Sequence, residues 1–477
     1  MSKFSDLLTQ HIMVSGFSIS ELARITGFSK GHVIKIKQGQ RVPRDIEKTI
    51  KLFEVLQLTR TEYRALWDAY TIERLGQDKY DLNKSVLDFV SSFRYQPPLL
   101  AEVSIQYKIP GNRVLYNEQD IGYMLRMILD QEALKENGYI HVIMQPDSPH
   151  ILDALKTVFW MNPACQVTHL ICLEKSPEDV SKKNYNIKLF QQLVPIILCQ
   201  NGRNYHVYYY YDKLGSHFTS FTLMPNLVIT SEFVMLMDYT LKNAMIYRKD
   251  CEEDRYRFFE KQFDEMTKGC SQLYEYVDNE QILNYYSTQN LSKTDGAVYT
   301  MGSQPCFGTL NTDVYFAKYA SAESRDMLVS FQFHKKENYT KFEIEKQKVI
   351  SYFTKSGIES FLFQGRVEEL PDELYHPLKQ EDCRTIIMDL ICLVEQGRYI
   401  PCLIDDRKFQ YPAGLVFNVF DMTRIIIYHK AEREEKQFII TEKSMARLMY
   451  DFLVEFRNSE YVYTPEKTLE YLKSLIG

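Results

Sequence analysis

Lys30, Gly31, His32, Lys35, Lys37, Arg41 and Arg44 crowd into one short stretch of a 477-residue chain, and their chemistry is that of an anion-binding surface. Between Ser20 and Lys51 eight basic residues (Arg24, Lys30, Lys35, Lys37, Arg41, Arg44, Lys48 and Lys51) stand against Glu21, Asp45 and Glu47, a local surplus of five positive charges. The whole chain has 57 basic and 63 acidic residues, a net charge of −6, so everything outside this stretch carries −11. Positive charge is concentrated in one small segment, and a phosphate backbone is the anion that fits it. Lysine suits the O6 and N7 atoms of guanine, whereas cations on the backbone phosphates fix register without conveying sequence. Lys30, Gly31, His32, Lys35, Lys37, Arg41 and Arg44 are therefore the candidate site residues.

Short helices must present these residues. Ser18 and Glu21 have the spacing of a capping box, in which the serine hydroxyl and the glutamate carboxylate each satisfy a free amide of the first turn. Leu22, Ala23 and Ile25 are expected on the buried side of the helix that follows, and Gly27 ends it by accepting a left-handed conformation. Ser29 can cap a second helix, which turns Val33 and Ile36 to the core and stops at Gly39. Phe4, Leu7, Leu8 and Ile12 form an apolar stripe before this pair, and Ile46, Ile50, Phe53 and Leu56 form one after it. Thr59 and Glu62 repeat the capping-box spacing ahead of Tyr63, Leu66, Trp67 and Tyr70. The spacing predicts an all-α, five-helix domain over residues 1–75.

With Leu22-Ala23, the turn glycine Gly27, Val33 with Ile36, and then Gly39, Arg41 and Pro43, this segment resembles the lambda-repressor/Cro-like (XRE) helix-turn-helix family. The resemblance covers about the first 75 residues. It implies double-stranded DNA as partner, base reading from Lys30, Gly31, His32 and Lys35, and phosphate contacts at Arg41 and Arg44. Lys37 departs from the family, whose members often carry an acidic residue there, and implies an added phosphate contact or a changed helix orientation.

The fold class expected for the whole is α+β multidomain: the helix-turn-helix domain, a helical linker or dimerisation segment over 76–135, and two α/β domains at 136–284 and 285–477. Val86, Phe89, Val90 and Phe93 make one helical face of the linker, with Pro97-Pro98 and Pro110-Gly111 as interruptions. In the first α/β domain, strands are predicted at Tyr139–Met144, Val167–Leu173, Tyr205–Tyr211 and Leu227–Thr230, and helices at Ile151–Trp160 and Ile187–Leu198. In the second, the expected strands are Val329–Phe333, Ser360–Phe363, Tyr399–Ile404, Leu415–Phe420, Ile425–Tyr428 and Gln437–Ile440. Helices are expected near Phe342–Tyr352, Cys383–Gln396 and Lys443–Phe456. The peptides Leu227–Glu232 and Phe438–Glu442, each read as a strand running into a helix, hint at two related halves.

Catalytic signatures are sparse: there is no G-x-G-x-x-G, P-loop, H-E-x-x-H or G-x-S-x-G. His334-Lys335-Lys336 has the opening spacing of the H-x-K-x-x-x-x-D motif of phospholipase D-like phosphotransferases, but Lys341 stands at the aspartate position, which removes the mixture of charges the chemistry needs. A catalytically silent fold of that kind remains compatible with the body. The nine cysteines form no C-x-x-C pair, so no structural metal and no cofactor are expected, and a reducing cytoplasm suits them. No apolar run reaches the ~20 residues of a membrane helix. The run Tyr208–Tyr211 is expected to alternate between the two faces of a strand, as packed residues more than as the lining of a ligand site. The sequence therefore points to a bacterial-type, non-enzymatic transcription regulator whose body forms a homodimer, senses a small-molecule or protein signal, or both. The alternatives are an effector enzyme or toxin-like protein with an autoregulatory helix-turn-helix, and a protein-interaction platform.

Overall fold

The computed structural model describes residues 2–93, 109, 111–148, 150–175, 180–198, 202–213, 223–277, 281, 297–307, 318–326, 348–370, 372–430 and 435–476. Among them are fourteen α-helices and two mixed sheets, an α+β multidomain architecture with an N-terminal helical head. The head consists of α1 (Lys3–Ser15), α2 (Ile19–Thr26), α3 (Lys30–Lys37), α4 (Ile46–Val55) and α5 (Arg60–Leu75). Its core takes most of the apolar residues expected from the sequence: Phe4, Leu8, Ile12, Leu22, Val33, Ile36, Phe53, Leu66 and Tyr70 are buried, and Leu52 joins them where Leu7, Ile46 and Ile50 are only partly buried. Phe53 is the hub, with the rings of Phe4, Tyr63, Trp67 and Tyr70 within 6.1 Å.

A single residue, Gly76, separates α5 from α6 (Gln77–Ser92). Its φ of 87° and ψ of 154° lie in a region that only glycine adopts without strain. Val86, Phe89 and Val90 of α6 are buried, so the face expected of a linker lies in the body core instead. Pro97-Pro98 and Pro110 lie outside the described residues.

The first sheet runs in the order β1-β7-β6-β5-β2-β3-β4-β8. Its strands are β1 (Arg113–Leu115), β2 (Tyr139–Ile143), β3 (Gln166–Glu174), β4 (Tyr205–Asp212), β5 (Asn226–Thr230), β6 (Phe233–Met237), β7 (Ala244–Arg248) and β8 (Ser271–Gln272). Helices α7 (Glu118–Ala133), α8 (Ile151–Met161), α9 (Val180–Ile197) and α10 (Glu253–Lys268) belong to this half. The second sheet runs β12-β11-β10-β13-β14-β15-β9. Its strands are β9 (Tyr274–Tyr276), β10 (Ala297–Met301), β11 (Lys348–Phe353), β12 (Tyr399–Leu403), β13 (Leu415–Asp421), β14 (Arg424–Lys430) and β15 (Glu435–Ile440). Its helices are α11 (Lys355–Gln364), α12 (Gln380–Glu395), α13 (Lys443–Phe456) and α14 (Pro465–Ser474).

The two sheets repeat one topology. In each, three successive strands are parallel (β2-β3-β4 and β10-β11-β12), and the chain then returns to the other side of the first of them to add three antiparallel strands (β5-β6-β7 and β13-β14-β15). A short strand preceding the unit pairs with its last strand, β1 on β7 and β9 on β15. The third parallel strand is flanked alike in both halves, by antiparallel β8 on β4 and by the antiparallel bridge of Val462 to Ile404 just past β12. Related halves are thus carried by strand order. The peptide pair that hinted at them does not match: Leu227–Glu232 is β5 turning tightly into β6, a hairpin, and only Phe438–Glu442 leads into a helix.

Two further expectations are corrected. Ser360–Phe363 is helical within α11, because Thr354 caps its first turn and Gly365, at φ 67°, ends it. Lys348–Phe353 is the interior strand β11, where a helix over Phe342–Tyr352 was expected; five of its six residues are buried, and a strand covered on both faces loses the alternation that distinguishes it from a buried helix. Residues 342–347, the strand expected at Val329–Phe333, and His334, Lys335, Lys336 and Lys341 lie outside the described residues. The tyrosine run alternates as expected: Tyr209 and Tyr211 share a face at 5.4 Å, while Tyr208 packs on the opposite one. No described helix is long and apolar enough to cross a membrane.

One core runs between the halves. Phe89 of α6 meets Phe190 of α9 at 5.3 Å, and Phe93 meets Phe417 of β13 at 5.4 Å and stacks on Phe438 of β15 at 6.3 Å. Tyrosine hydroxyls tie the seam: Tyr274 donates to the Tyr205 carbonyl at 2.6 Å, and Tyr211 at the end of β4 donates to Glu442, the N-cap of α13. In the first half His169 is fully enclosed, its Nε2–H donating to the Met144 carbonyl and its Nδ1 accepting from Tyr205, both at 2.7 Å.

Burial pushes the His169 pKa down to about 4 from an ordinary 6.5, so the folded state favours the neutral ring. That contribution to stability is complete above pH 6.5 and is lost as the pH falls from 6.5 toward 4, reaching about 2 kcal/mol at pH 5. His169→Gln retains a donor and an acceptor but does not titrate. The loss of stability between pH 7 and pH 5, measured by urea denaturation, should therefore be smaller in the variant by about 2 kcal/mol. An equal loss in both proteins would show that His169 is not the titrating group.

Candidate nucleic-acid interface

The candidate surface is built on α2, a turn and α3. The Ser18–Glu21 capping box is present in both directions: the Glu21 amide donates to the Ser18 hydroxyl at 3.2 Å, and the Ser18 amide to the Glu21 carboxylate at 2.9 Å. Gly27, at φ 75°, closes α2 with its N–H on the Ala23 carbonyl at 3.0 Å. Ser29 then caps α3, accepting from the His32 amide at 3.2 Å. The buried residues of α2 are Leu22, Ala23 and Thr26, and Ile25, expected to be buried, is 43% exposed. At 3.6 residues per turn Ile25 lies well off the direction shared by those three, and Thr26 takes the core position by returning its hydroxyl to the Leu22 carbonyl at 2.6 Å.

Helix α3 buries only Val33 and Ile36. The opposite side exposes Lys30, Gly31, Ile34 and Lys35, and Lys37 is half-buried at the flank. His32 is turned inward: its ring lies 4.8 Å from that of Phe28, and its Nε2 is enclosed without a hydrogen-bond partner. Desolvation, followed by the cations Arg41, Lys48 and Lys35, lowers the His32 pKa and so disfavours its charged form. Of the residue types that suit base reading, the open face carries the lysines, while His32 packs beside them.

Arg41 and Arg44 are exposed on the loop after α3, and this loop is held from below. The Tyr70 hydroxyl of α5 donates to the Pro43 carbonyl at 2.9 Å, and Thr9 of α1 donates to the Lys37 carbonyl at 3.2 Å. All seven residues singled out from the sequence thus lie on one short segment fastened to α1 and α5.

The charges sort themselves. Lys48 pairs with Asp45 at 3.3 Å and Lys51 with Glu47 at 3.1 Å, while the pKa of Glu21, the third acidic residue of the stretch, is lowered chiefly by its hydrogen bonds with Ser18 and only to a lesser degree by Arg24. Among the described residues no carboxylate lies within 4.0 Å of Lys30, Lys35, Lys37, Arg41 or Arg44. The local surplus of five is carried by these five side chains, which all belong to α3 and the loop after it. Sequence reasoning overlooked Ile34, which is 42% exposed in the midst of the cations. The signal was available: a residue next to Val33 and two before Ile36 sits roughly 130° from their common direction.

The head rests on the body through α5. Arg74 donates to the Asn458 carbonyl at 3.4 Å, and the Lys408 ammonium lies 5.3 Å from the centre of the Tyr63 ring.

No protein-family model and no curated relative matches the chain. Among solved structures it is similar to the phosphatidylserine synthase of Haemophilus influenzae Rd KW20, at 11% identity over 76% of this chain and 92% of that one, with a TM-score of 0.23. It is also similar to the polyphosphate kinase of Porphyromonas gingivalis, at 9% identity over 80% of this chain and 59% of that one, with a TM-score of 0.22. At such scores these likenesses have no bearing on what the surface does.

Tyr70→Phe removes the hydroxyl that holds the Arg41–Arg44 loop and leaves a buried carbonyl without its donor. The change should cost about 1 kcal/mol of head stability and speed amide exchange across residues 39–45, read by mass spectrometry. An unchanged exchange profile would mean that the loop is held by other contacts.

Proposed function

We propose that this chain is a DNA-binding transcription regulator in which the helical head reads an operator and the α/β body dimerises, senses a signal, or both. The observation that carries the reading is the set of five cations without carboxylate partners on α3 and its following loop, on a capped helix pair of helix-turn-helix form. A helix with one side in the core and the other side open and cationic can enter the major groove, while loop arginines reach the phosphates on either side. Lys30 and Lys35 read base edges; Lys37, Arg41 and Arg44 grip the backbone.

One such helix covers only a few base pairs. Affinity then comes from two heads placed on successive major grooves by a two-fold dimer, and the body supplies the contact. A small molecule or protein that favours one body conformation would reset the angle of the heads through α6 and Gly76, and a coupling of 1 to 3 kcal/mol changes operator affinity roughly 5- to 150-fold. This function places the protein in the cytoplasm.

Duplexes enriched by the full chain from a randomised pool provide the test. Lys30→Ala should relax preference at one base pair, costing roughly 1 to 3 kcal/mol there, whereas Arg44→Ala should weaken all duplexes alike and flatten the salt dependence by about one unit of slope. Identical selectivity profiles for the two variants would refute the division of roles, and failure of the full chain to retain any duplex would refute the function. Light scattering of the full chain should give a dimer mass at micromolar concentration; a monomer would remove the two-fold arrangement.

A further inference from the structure

Gly31 stands at the centre of the open side of α3, roughly 170° around the helix from the common direction of Val33 and Ile36. Its φ is not positive, so an L side chain fits the backbone there. A Cβ added to it would meet nothing within 4 Å, so no packing inside the chain requires the side chain to be missing. Glycine is nevertheless among the poorest residues for a helix, and alanine would serve the fold better. One turn on, Ile34 places a branched apolar side chain, 42% exposed, between Lys30 and Lys35. Neither residue is explained by the stability of the head.

We propose that Gly31 and Ile34 form the close-contact strip of the interface: the bare backbone at Gly31 lets α3 approach the base edges, and the Ile34 side chain packs on the 5-methyl group of thymine. The inference rests on the DNA-binding reading and deepens it by naming the base that is recognised. Duplex DNA is the occupant because five cations without carboxylate partners share α3 and its following loop with the strip, and the thymine methyl is the apolar group that the major groove displays among its donors and acceptors. Lys30 and Lys35 on either side of Ile34 would hold the helix at that depth, so that a side chain at position 31 would push it outward.

The test uses the full-length chain and duplexes it enriches from a randomised pool. Each thymine in an enriched duplex is replaced singly by deoxyuridine, which removes only the methyl group. The wild type should lose affinity three- to thirtyfold at one position or more, and Ile34→Ala should bind the thymine and deoxyuridine duplexes equally. Gly31→Ala should bind the same duplexes at least tenfold more weakly while its melting temperature stays level or rises, which separates a lost approach from a lost fold. Retention of the thymine preference by Ile34→Ala would overturn the proposal and leave the strip as a contact for another molecule, as would full affinity in Gly31→Ala. A wild type that binds duplexes without sequence preference would overturn this inference alone, whereas a wild type that binds none would overturn the DNA-binding reading with it.

Discussion

Phe89 of α6 and Phe93 at its C-terminal cap are inserted where the two halves of the body meet, and the remaining architecture depends on that aromatic contact. Between them they touch Phe190 in the first half and Phe417 and Phe438 in the second, all buried in one core. Large aromatic side chains contribute the most area to such a seam, and their tilted and edge-on contacts fix its geometry as well as its strength. The same helix is the continuation of the head, one glycine removed from α5. A shift of one half against the other must therefore move α6, and a movement of α6 is delivered to Gly76.

This arrangement replaces a long tether with a short junction. The head has its own closed core around Phe53, but it also rests on the body through Tyr63 against Lys408 and through Arg74 against Asn458. Glu460 in the same region is driven toward its neutral form chiefly by burial, and Lys408 and Arg64 oppose that shift. Charged groups enclosed between two bodies prefer particular relative positions, because an uncompensated buried charge is costly. The orientation of the basic surface is consequently a property of the whole chain rather than of the head.

The repeated topology gives the body its size without a new design for each half. Three parallel strands followed by three antiparallel ones, with a short strand on the last of them, occur twice, and the inner faces of both sheets share a single core. Buried polar groups are used as fasteners within it. His169 bonds to Tyr205, Glu368 accepts three backbone amides from Ser303, Gln304 and Gly414, and Tyr211 reaches Glu442 across the seam. Each satisfies a group that would otherwise be expensive to enclose.

Local chemistry was readable in the sequence wherever a short-range rule decided the outcome. Capping at Ser18, Ser29 and Thr59, the stop at Gly27, the amphipathic stripes of the head and the confinement of charge to residues 30–44 depend on neighbours a few residues apart, and spacing displays them directly. Strands and helices such as Tyr399–Leu403 and Lys443–Phe456 were legible for the same reason. Tertiary packing decided the rest. Burial on both faces made a strand of Lys348–Phe353 and hid its period, and the seam drew α6 out of the linker expected over 76–135; the helix over Ser360–Phe363, by contrast, follows from a local cap and stop at Thr354 and Gly365 that its β-like composition masked. Around α3, spacing also holds the near pairs Phe28–His32, Asp45–Lys48 and Glu47–Lys51, which lie three or four residues apart, whereas only the folded head showed that Thr9 and Tyr70, 28 and 27 residues away, fasten the segment at Lys37 and Pro43. A sequence fixes which groups a segment carries, whereas their partners come from contacts between distant segments, and those exist only once the core has closed.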